Sequence, residues 1–389
     1  MSTYPIKDSQ RLNWIDAARG FAIFGIFIVN IGAFSAPYFL YGGDTEVWTS
    51  KMDTLILFII DVFFQASFYT LFSILFGFGI QLQKDRLVEK GISVNRFFIR
   101  RLAFLTIIGL IHAIGIWHGD ILFTYGVVGF LLLIYFNVKA RTIKVNIISL
   151  LGVFVGLFTL LMYQVRDYLD TPNQGFIIQA INNYSSASFS RIWEQNLHDW
   201  QLSNGGINIL FLAGVILPMF LIGMYAARKK WFHQPEKYQQ NLTMIWISSF
   251  IGFIILKLGP YLFGNPSWFS YVQDNIGGAA SAIFYVTSIT LLWKQGWFRQ
   301  LMVPLQAVGK MAMTNYLCQS IISFWLFYGV GFGLYGKVDP LIQLILVLVI
   351  FILQMIGSMW WMKNFRFGPF EWLWRTLTYG KRQPFRRET

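Results

Sequence analysis

Charged residues are scarce in this sequence, and acidic ones are the scarcer kind. Only 13% of the 389 residues carry charge, with 18 Asp and Glu against 31 Lys and Arg. Soluble domains contain about 25% charged residues. A chain that is 56% hydrophobic and 19% aromatic could not bury that much apolar surface in water, whereas lipid can cover it. The low charge therefore excludes an ordinary soluble domain.

The sequence also contains only one cysteine and four histidines, and it has no nucleotide-binding motif. The single cysteine, Cys318, excludes an intrachain disulfide. The sequence contains no phosphate loop and no serine-hydrolase elbow. The four histidines lack the close spacing of a zinc site, so no metal is expected; they are His112, His118, His198 and His233.

Ten apolar stretches are each near the roughly 20 residues that a spanning helix needs. They predict an all-α fold, a polytopic integral membrane bundle of about ten transmembrane helices. The stretches cover approximately residues 16–36, 54–81, 101–117, 120–137, 146–165, 206–227, 241–262, 275–293, 303–333 and 339–362.

Basic residues cluster in alternate loops and in the C-terminal tail. With the N-terminus inside, the outside loops hold only Lys51, Arg166, Arg191, Lys257 and Lys337. This asymmetry follows the positive-inside rule and predicts a cell-membrane protein with both termini cytoplasmic. The net charge of +13 is thereby explained by topology, with no nucleic acid as partner.

Three regions follow from this topology. Residues 1–165 form an N-terminal transmembrane half, 166–205 an extracytoplasmic loop with a short amphipathic helix or lid, and 206–389 a C-terminal transmembrane half. After Pro369 the tail mixes aromatic and basic residues, which predicts an amphipathic helix over 369–379 on the inner membrane surface. Membrane lipids are the expected surroundings, and the oligomeric state is left open.

Polar groups within the spans are candidates for function, because each is costly in lipid without a partner. Asp16 and Arg19 share a helix face, either as an anchoring ion pair or with Arg19 as an anion contact. Asn30 lies about three turns further along roughly the same face. Asp61 and Gln65, four residues apart, pair with another helix or line a cavity.

Further polar groups occur at the junction of the third and fourth apolar stretches, and others occur within the ninth stretch. His112 needs a polar pocket or a structural hydrogen bond. His118 is an interfacial residue or, with Asp120 beside it, a general base. Asn315 and Gln319 share a face and either hold two helices together or line a substrate path.

Several motifs resemble the YeiB family of bacterial membrane proteins, whose C-terminal half is the domain of unknown function 418. They include NWIDAARGFAIFGIFIVN, GLIHAIGIWHGDILFTYG, TNYLCQS and GPFEWLWRTLTYG. The opening D-x-x-R-G also resembles, more distantly, that of transmembrane acyltransferases. In the acyltransferase-3 group a histidine follows the arginine by eleven residues, and here Asn30 occupies that place.

The distant resemblance implies transfer of an acyl group from a cytoplasmic donor such as acyl-CoA to a small-molecule, lipid or glycan acceptor at the outer face. Arg19 would contact donor phosphates, because arginine binds anions in a bidentate manner. His112 or His118 would be the base, and Asp120 would orient it. The predicted binding residues are Asp16, Arg19, Asn30, Asp61, Gln65, Asn315 and Gln319.

A different class of function fits the same polar groups. In a transporter, or in a lipid- or solute-binding membrane protein without catalysis, intramembrane polar residues line a pathway. The residues expected on that pathway are Asp61, Gln65, His112, Asn315 and Gln319.

Overall fold

The computed structural model describes residues 12–387; 79% of these residues are helical, and no strand is present among them. Eight helical segments are long and apolar enough to cross a membrane: Asn13–Ser35, Lys51–Glu89, Val94–Gly115, Ala140–Gln164, Asn208–Arg228, Gln239–Phe263, Ser267–Leu292 and Pro340–Asn364. The fourth span, Leu122–Asn137, is shorter. The ninth is divided at Met311 into Val303–Lys310 and Ala312–Phe327. The predicted helical membrane bundle is confirmed.

Six further helices connect or flank these spans: Tyr38–Tyr41, Asp44–Val47, Gln174–Tyr184, Phe189–Asn204, Gly296–Leu301 and Pro369–Tyr379. The helix expected in segment 166–205 is present as two helices, which we call the cap. The tail helix begins at Pro369 as predicted and ends before Gly380, whose left-handed φ of 65° is typical of a helix C-terminus.

The two ends of the bundle differ in the segments that lie at them. Leu12 and Arg387, at the two limits of the described residues, line the same cavity, so both limits lie at one end of the bundle, which we call the terminus end. The cap covers the opposite end, which we call the capped end. Odd-numbered spans run from the terminus end to the capped end.

Glycines allow the central helices to pack backbone to backbone. A Cβ on Gly20 of the first span would collide with the carbonyl of Leu305, and one on Gly309 would collide with the carbonyl of Asp16. The second and sixth spans meet in the same way, with Gly223 against the carbonyl of Ile74. Small residues at helix crossings are the usual device for close packing in lipid.

The outward surface of the bundle is apolar. Ile111, Ile148 and Leu353 are each more than 60% exposed, and the fifth span, Ala140–Gln164, is buried over only 6% of its apolar window. Lipid covers such a surface at no hydrophobic cost, and the helices satisfy their own backbone hydrogen bonds. The fold is that of a membrane protein.

Candidate active site

A cavity of about 840 Å³ lies at the terminus end. Its walls come from the first four spans, the ninth span and the tail helix. Along the first span it extends from Leu12 to Ile26, about 21 Å at 1.5 Å per residue. It is therefore deep enough to reach from the end of the bundle to well inside the membrane.

The lining changes from charged to apolar with depth. On the first span Arg19 precedes Ile23 and Ile26. On the second span, which runs the other way, Phe72 and Phe76 precede Arg86. Among the described residues that line the cavity, two are acidic, Asp16 and Glu371, and eight are basic: Arg19, Arg86, Lys90, Arg101, Lys310, Arg366, Arg375 and Arg387.

Arg19 forms the ion pair that its sequence position suggested, and its predicted contact with an anion stays a prediction. Its Nη1 lies 3.3 Å from Oδ1 of the buried Asp16, and its side chain remains 30% exposed to the cavity. Gly79 makes room for the guanidinium, since a Cβ there would lie 3.0 Å from Nη2. The ion pair orients Arg19 at the wall of the cavity.

The tail helix forms one wall of the cavity. Arg101 stacks its guanidinium 3.6 Å from the ring of Trp374, whose Nε1 donates to the carbonyl of Arg101. Glu371 accepts hydrogen bonds from the backbone N–H groups of Met313 and Thr314, so it caps the second half of the ninth span. Burial raises the pKa of Glu371, while its hydrogen bonds to Thr314 and Met313 oppose that shift.

At its inner end the cavity meets a buried histidine. Tyr316 lines the cavity together with Ile121 and packs its ring 5.3 Å from the ring of His112. His112 is only 2% exposed, and its Nε2 has no hydrogen-bond partner within residues 12–387. An unpartnered imidazole nitrogen inside a membrane bundle is an unusual and costly group.

Asp120 is the partner of His112. Its Oδ1 lies 2.8 Å from Nδ1 of His112, off the line of a straight hydrogen bond, and both side chains are inaccessible to solvent. The other oxygen, Oδ2, accepts from the backbone N–H of Phe123 at 2.6 Å and caps the fourth span. The carboxylate thus lies between the imidazole of His112 and the first turn of the fourth span.

His118 belongs to a different network. It faces the cap, with Nδ1 3.2 Å from the hydroxyl of Tyr184 and 3.7 Å from Oδ2 of Asp199. Asp199 also accepts from the hydroxyl groups of Tyr184 and Tyr41. Burial lowers the pKa of His118 below its usual value of about 6.5, and the Asp199 carboxylate opposes that shift. Asp120 thus orients His112 and not its nearer neighbour in sequence.

Two predicted binding residues hold helices together. Asn315 donates through Nδ2 to Ser358 at 3.0 Å and to the carbonyl of Met311 at 3.1 Å. Gln319 donates to Gln354 at 2.9 Å. Both connect the ninth span to the tenth, and neither is among the described residues that line the cavity. Of the two roles considered for Asn315 and Gln319, these contacts are those of residues that hold two helices together.

Asn30 lies half-buried in the capped half of the first span, beyond the last cavity residue of that helix, Ile26. The structure does not bring it to the charged mouth where Arg19 lies. Its role as a binding residue stays a prediction.

Asp61 and Gln65 lie in a second polar cluster, built on helix irregularities. Lys257 is fully buried and places Nζ 3.0 Å from Asp274 and 3.7 Å from Asp61. Gln65 lies close to Asp274, at a break in the second span where Ala66 has a φ of 62°. The expected position of Lys257 in an outside loop is wrong, because this residue lies within the seventh span.

The cluster coincides with two π-helical segments, Ile254–Leu258 in the seventh span and Gln273–Gly277 in the eighth. Asp61 also accepts from Gln273 at 3.0 Å and from the hydroxyl of Tyr261 at 2.7 Å. Such bulges commonly mark functional sites in helices.

Sequence reasoning did not single out Tyr316, Glu371 or Asp199. Tyr316 lies in the motif TNYLCQS, but a tyrosine in an apolar helix gives no signal of its own. Glu371 is an isolated acidic residue in a basic tail, and this contrast in charge could have identified it as a candidate. The position of Asp199 next to His118 depends on the chain reversal between the two cap helices, which hydrophobic periodicity does not reveal.

The fold and site define a polytopic helical membrane protein with a deep cationic cavity. The family described as "Protein of unknown function (DUF418)" matches residues 226–381. The "Uncharacterized protein YxaH" of Bacillus subtilis (strain 168) is 35% identical over 409 residues, which span 100% of this chain and 99% of that protein. The "Uncharacterized protein YeiB" of Escherichia coli (strain K12) is 30% identical over 390 residues, with 94% and 95% covered.

A third relative, the "Uncharacterized 39.9 kDa protein in amylase 3'region" of Bacillus acidopullulyticus, is 29% identical and covers 98% of this chain and 97% of its own length. No solved structure matches. The chain belongs to the YeiB family of membrane proteins, as the sequence motifs indicated.

Proposed function

We propose that this protein is a transmembrane acyltransferase that takes an acyl group from a phosphate-bearing thioester such as acyl-CoA. The acceptor would be a hydroxyl or amine at the opposite face of the membrane. The observation that carries the proposal is the cavity itself. It has basic side chains at its mouth, apolar walls beyond them, and a histidine–aspartate pair behind its inner end.

Each part of the cavity suits one part of such a donor. Arginine guanidinium groups bind phosphate oxygens in pairs, and basic residues dominate the described mouth. The walls from Ile23 to Ile26, with Phe72 and Phe76, suit the less polar arm of a thioester. This arrangement would place the thioester carbonyl near Tyr316, next to His112.

The chemistry assigned to the pair is general base and acid catalysis. His112 Nε2 takes the proton of the acceptor as its oxygen or nitrogen attacks the carbonyl carbon. The tetrahedral intermediate then expels the thiolate as the C–S bond breaks, and His112 returns the proton to sulfur. Asp120 stabilises the imidazolium and holds its tautomer.

The proposal fixes an orientation in the cell membrane. The terminus end, with its basic residues, faces the cytoplasm, where the donor is made. The cap faces outward, and the acceptor approaches from that side. In this structure the cap is held on the end of the third span by Asn196, which donates to the carbonyl of Ile114, and by Trp193, which donates to that of Gly115. Access for an acceptor therefore requires movement of the cap.

Donor binding is the first test. Purified protein in detergent is titrated with acetyl-CoA by calorimetry, for the wild type, for Arg19→Ala and for Arg299→Ala. Arg299 is an exposed arginine outside the cavity. Loss of one charge-assisted phosphate contact weakens binding about 10-fold or more, so Arg19→Ala should do so and Arg299→Ala should not. Equal affinity of all three, or no binding by the wild type, contradicts the proposal.

Thiol release is the second test. Proteoliposomes containing bacterial lipid and glycan extract are supplied with acetyl-CoA, and free CoA is measured with a thiol reagent. Release should depend on His112 and should be lost in His112→Ala. A rate for His112→Ala equal to that of the wild type would remove the catalytic assignment while leaving donor binding intact.

The second polar cluster favours another candidate function, transport coupled to a cation or proton. Two carboxylates, Asp61 and Asp274, share the single ammonium group of Lys257. Excess charge inside a membrane span is costly unless a proton or cation compensates it. Reconstituted protein would then move protons or Na⁺ across liposomes, and Asp61→Asn would abolish that movement. Absence of any wild-type flux would eliminate this candidate.

A further inference from the structure

Tyr316 occupies the boundary between the cavity and the histidine–aspartate pair. It lies one turn after the break at Met311 that divides the ninth span, and it is 3% exposed. Asn315 stabilises that break by donating to the carbonyls of Val308 and Met311. The start of this half-helix is thus fixed, and with it the position of the Tyr316 ring against His112.

The hydroxyl of Tyr316 has a hydrogen to donate. It accepts the backbone N–H of Ile121 at 3.4 Å, and no acceptor for its own O–H is found among residues 12–387. The hydroxyl of Tyr125, another cavity residue, differs because it donates to the carbonyl of Tyr69 at 2.9 Å. Since Ile121 and Tyr316 both line the cavity, the free O–H lies at its inner end.

The N-terminus of a helix lies at this point, and the carboxylate of Asp120 occupies part of it. The fourth span begins at Leu122, which lines the cavity, so the positive end of that helix points toward the same place. The backbone N–H of Phe123 is already taken by Asp120. The Tyr316 hydroxyl is therefore the side-chain donor best placed to meet an oxygen that becomes negative there.

We propose that Tyr316 is a further catalytic residue, whose O–H donates to the thioester carbonyl oxygen as charge develops on it. This inference rests on the proposed acyl transfer. Tyr316 makes and breaks no covalent bond. The acceptor bonds to the carbonyl carbon, the C–S bond breaks, and the proton passes through His112 to sulfur. Donors aimed at the developing oxyanion typically contribute 10²- to 10³-fold in rate.

The test is Tyr316→Phe, which keeps the ring against His112 and removes only the hydroxyl. Thiol release from acetyl-CoA is measured in proteoliposomes, together with the affinity for acetyl-CoA. The kcat should fall about 100-fold, with KM changed less than about threefold. The matched control is Tyr285→Phe, whose hydroxyl donates to the carbonyl of Phe63 away from the cavity. It should keep the wild-type kcat.

Failure of the Tyr316 role and failure of the proposed acyl transfer give different experimental results. If the wild type releases thiol and Tyr316→Phe retains its full kcat, the Tyr316 assignment is overturned and the proposed function stands. A rise in KM at constant kcat also overturns it, because the hydroxyl would then serve donor binding alone. If the wild type neither binds acetyl-CoA nor releases thiol, the acyl-transfer function and the role of Tyr316 fall together.

Discussion

Replacement of Asp120 by asparagine separates the structural role of this residue from its proposed catalytic role. The carboxylate has two oxygens with different tasks, Oδ1 toward Nδ1 of His112 and Oδ2 toward the N–H of Phe123. Asparagine has one oxygen. If that oxygen keeps the helix cap, its amide NH₂ faces Nδ1 and forces the proton of His112 onto Nε2. The imidazole would then have no free base nitrogen toward the substrate.

The expected effects of Asp120→Asn on folding stability and on reaction rate differ widely in size. Asparagine is as good an N-cap as aspartate, and loss of one buried hydrogen-bonded contact costs about 1 kcal/mol, so the protein should remain folded. Locking the wrong tautomer in a histidine–aspartate pair costs about 10⁴ in rate, or roughly 5 kcal/mol of transition-state stabilisation. Asp120→Asn should therefore abolish most thiol release with a small change in melting temperature.

The assay is thiol release from acetyl-CoA in proteoliposomes, with melting followed in detergent. Asp339→Asn is the control, since Asp339 is an exposed aspartate that precedes the tenth span. The double variant His112→Ala with Asp120→Asn should be no slower than His112→Ala alone, because the two residues act as a unit. An Asp120→Asn enzyme with more than about a tenth of the wild-type rate would refute the tautomer argument.

Three other predictions concern topology, packing and pH. In a Cys318→Ala background, an impermeant thiol reagent applied from outside should label a cysteine at the exposed Asn182 and spare one at the exposed Gln234; the reverse pattern would invert the orientation. Gly223→Ala, which pushes a methyl into the carbonyl of Ile74, should destabilise the bundle by about 1–3 kcal/mol. Gly156→Ala has open space and should not; equal melting of the two would show that the crossing tolerates a Cβ. Because the pKa of His118 is lowered by burial, the unfolded state binds its proton first, so stability should be fully present well above pH 6.5 and decline as the pH falls through 6.5. His118→Gln should reduce that decline in detergent melts between pH 7.5 and 5.5, and an unchanged slope would exclude His118 as its cause.

The tail helix shows a local pattern that predicts an element but not its neighbours. Pro369 and the aromatic–basic mixture predicted a helix over 369–379, and the structure places it at Pro369–Tyr379. Its sequence suggested only contact with the membrane surface. The cap that Glu371 supplies to the ninth span is a contact between residues 57 and 58 positions apart, and no local signal encodes it.

The contacts within the second polar cluster, around Lys257, could likewise not be predicted from local sequence patterns. The sequence predicts Asp61 and Gln65 as polar groups of the second span and Lys257 as a loop residue, whereas the structure brings Lys257 to within 3.7 Å of Asp61. The π-helical segment Ile254–Leu258 carries the lysine within the span. A bulge of this kind depends on packing against neighbouring helices, so periodicity alone gave no reason to expect it.

Hydropathy alone was enough to identify a helical membrane protein of about ten spans. This was possible because lipid requires every spanning segment to be apolar and to satisfy its own backbone hydrogen bonds, so the hydropathy pattern reports the architecture directly. Which polar groups meet depends instead on how the helices pack against each other. His118 and Asp120 are two residues apart in a turn, yet one side chain faces the cap and the other faces His112. Spacing in a turn does not fix side-chain direction, whereas the packed ends of the third and fourth spans do.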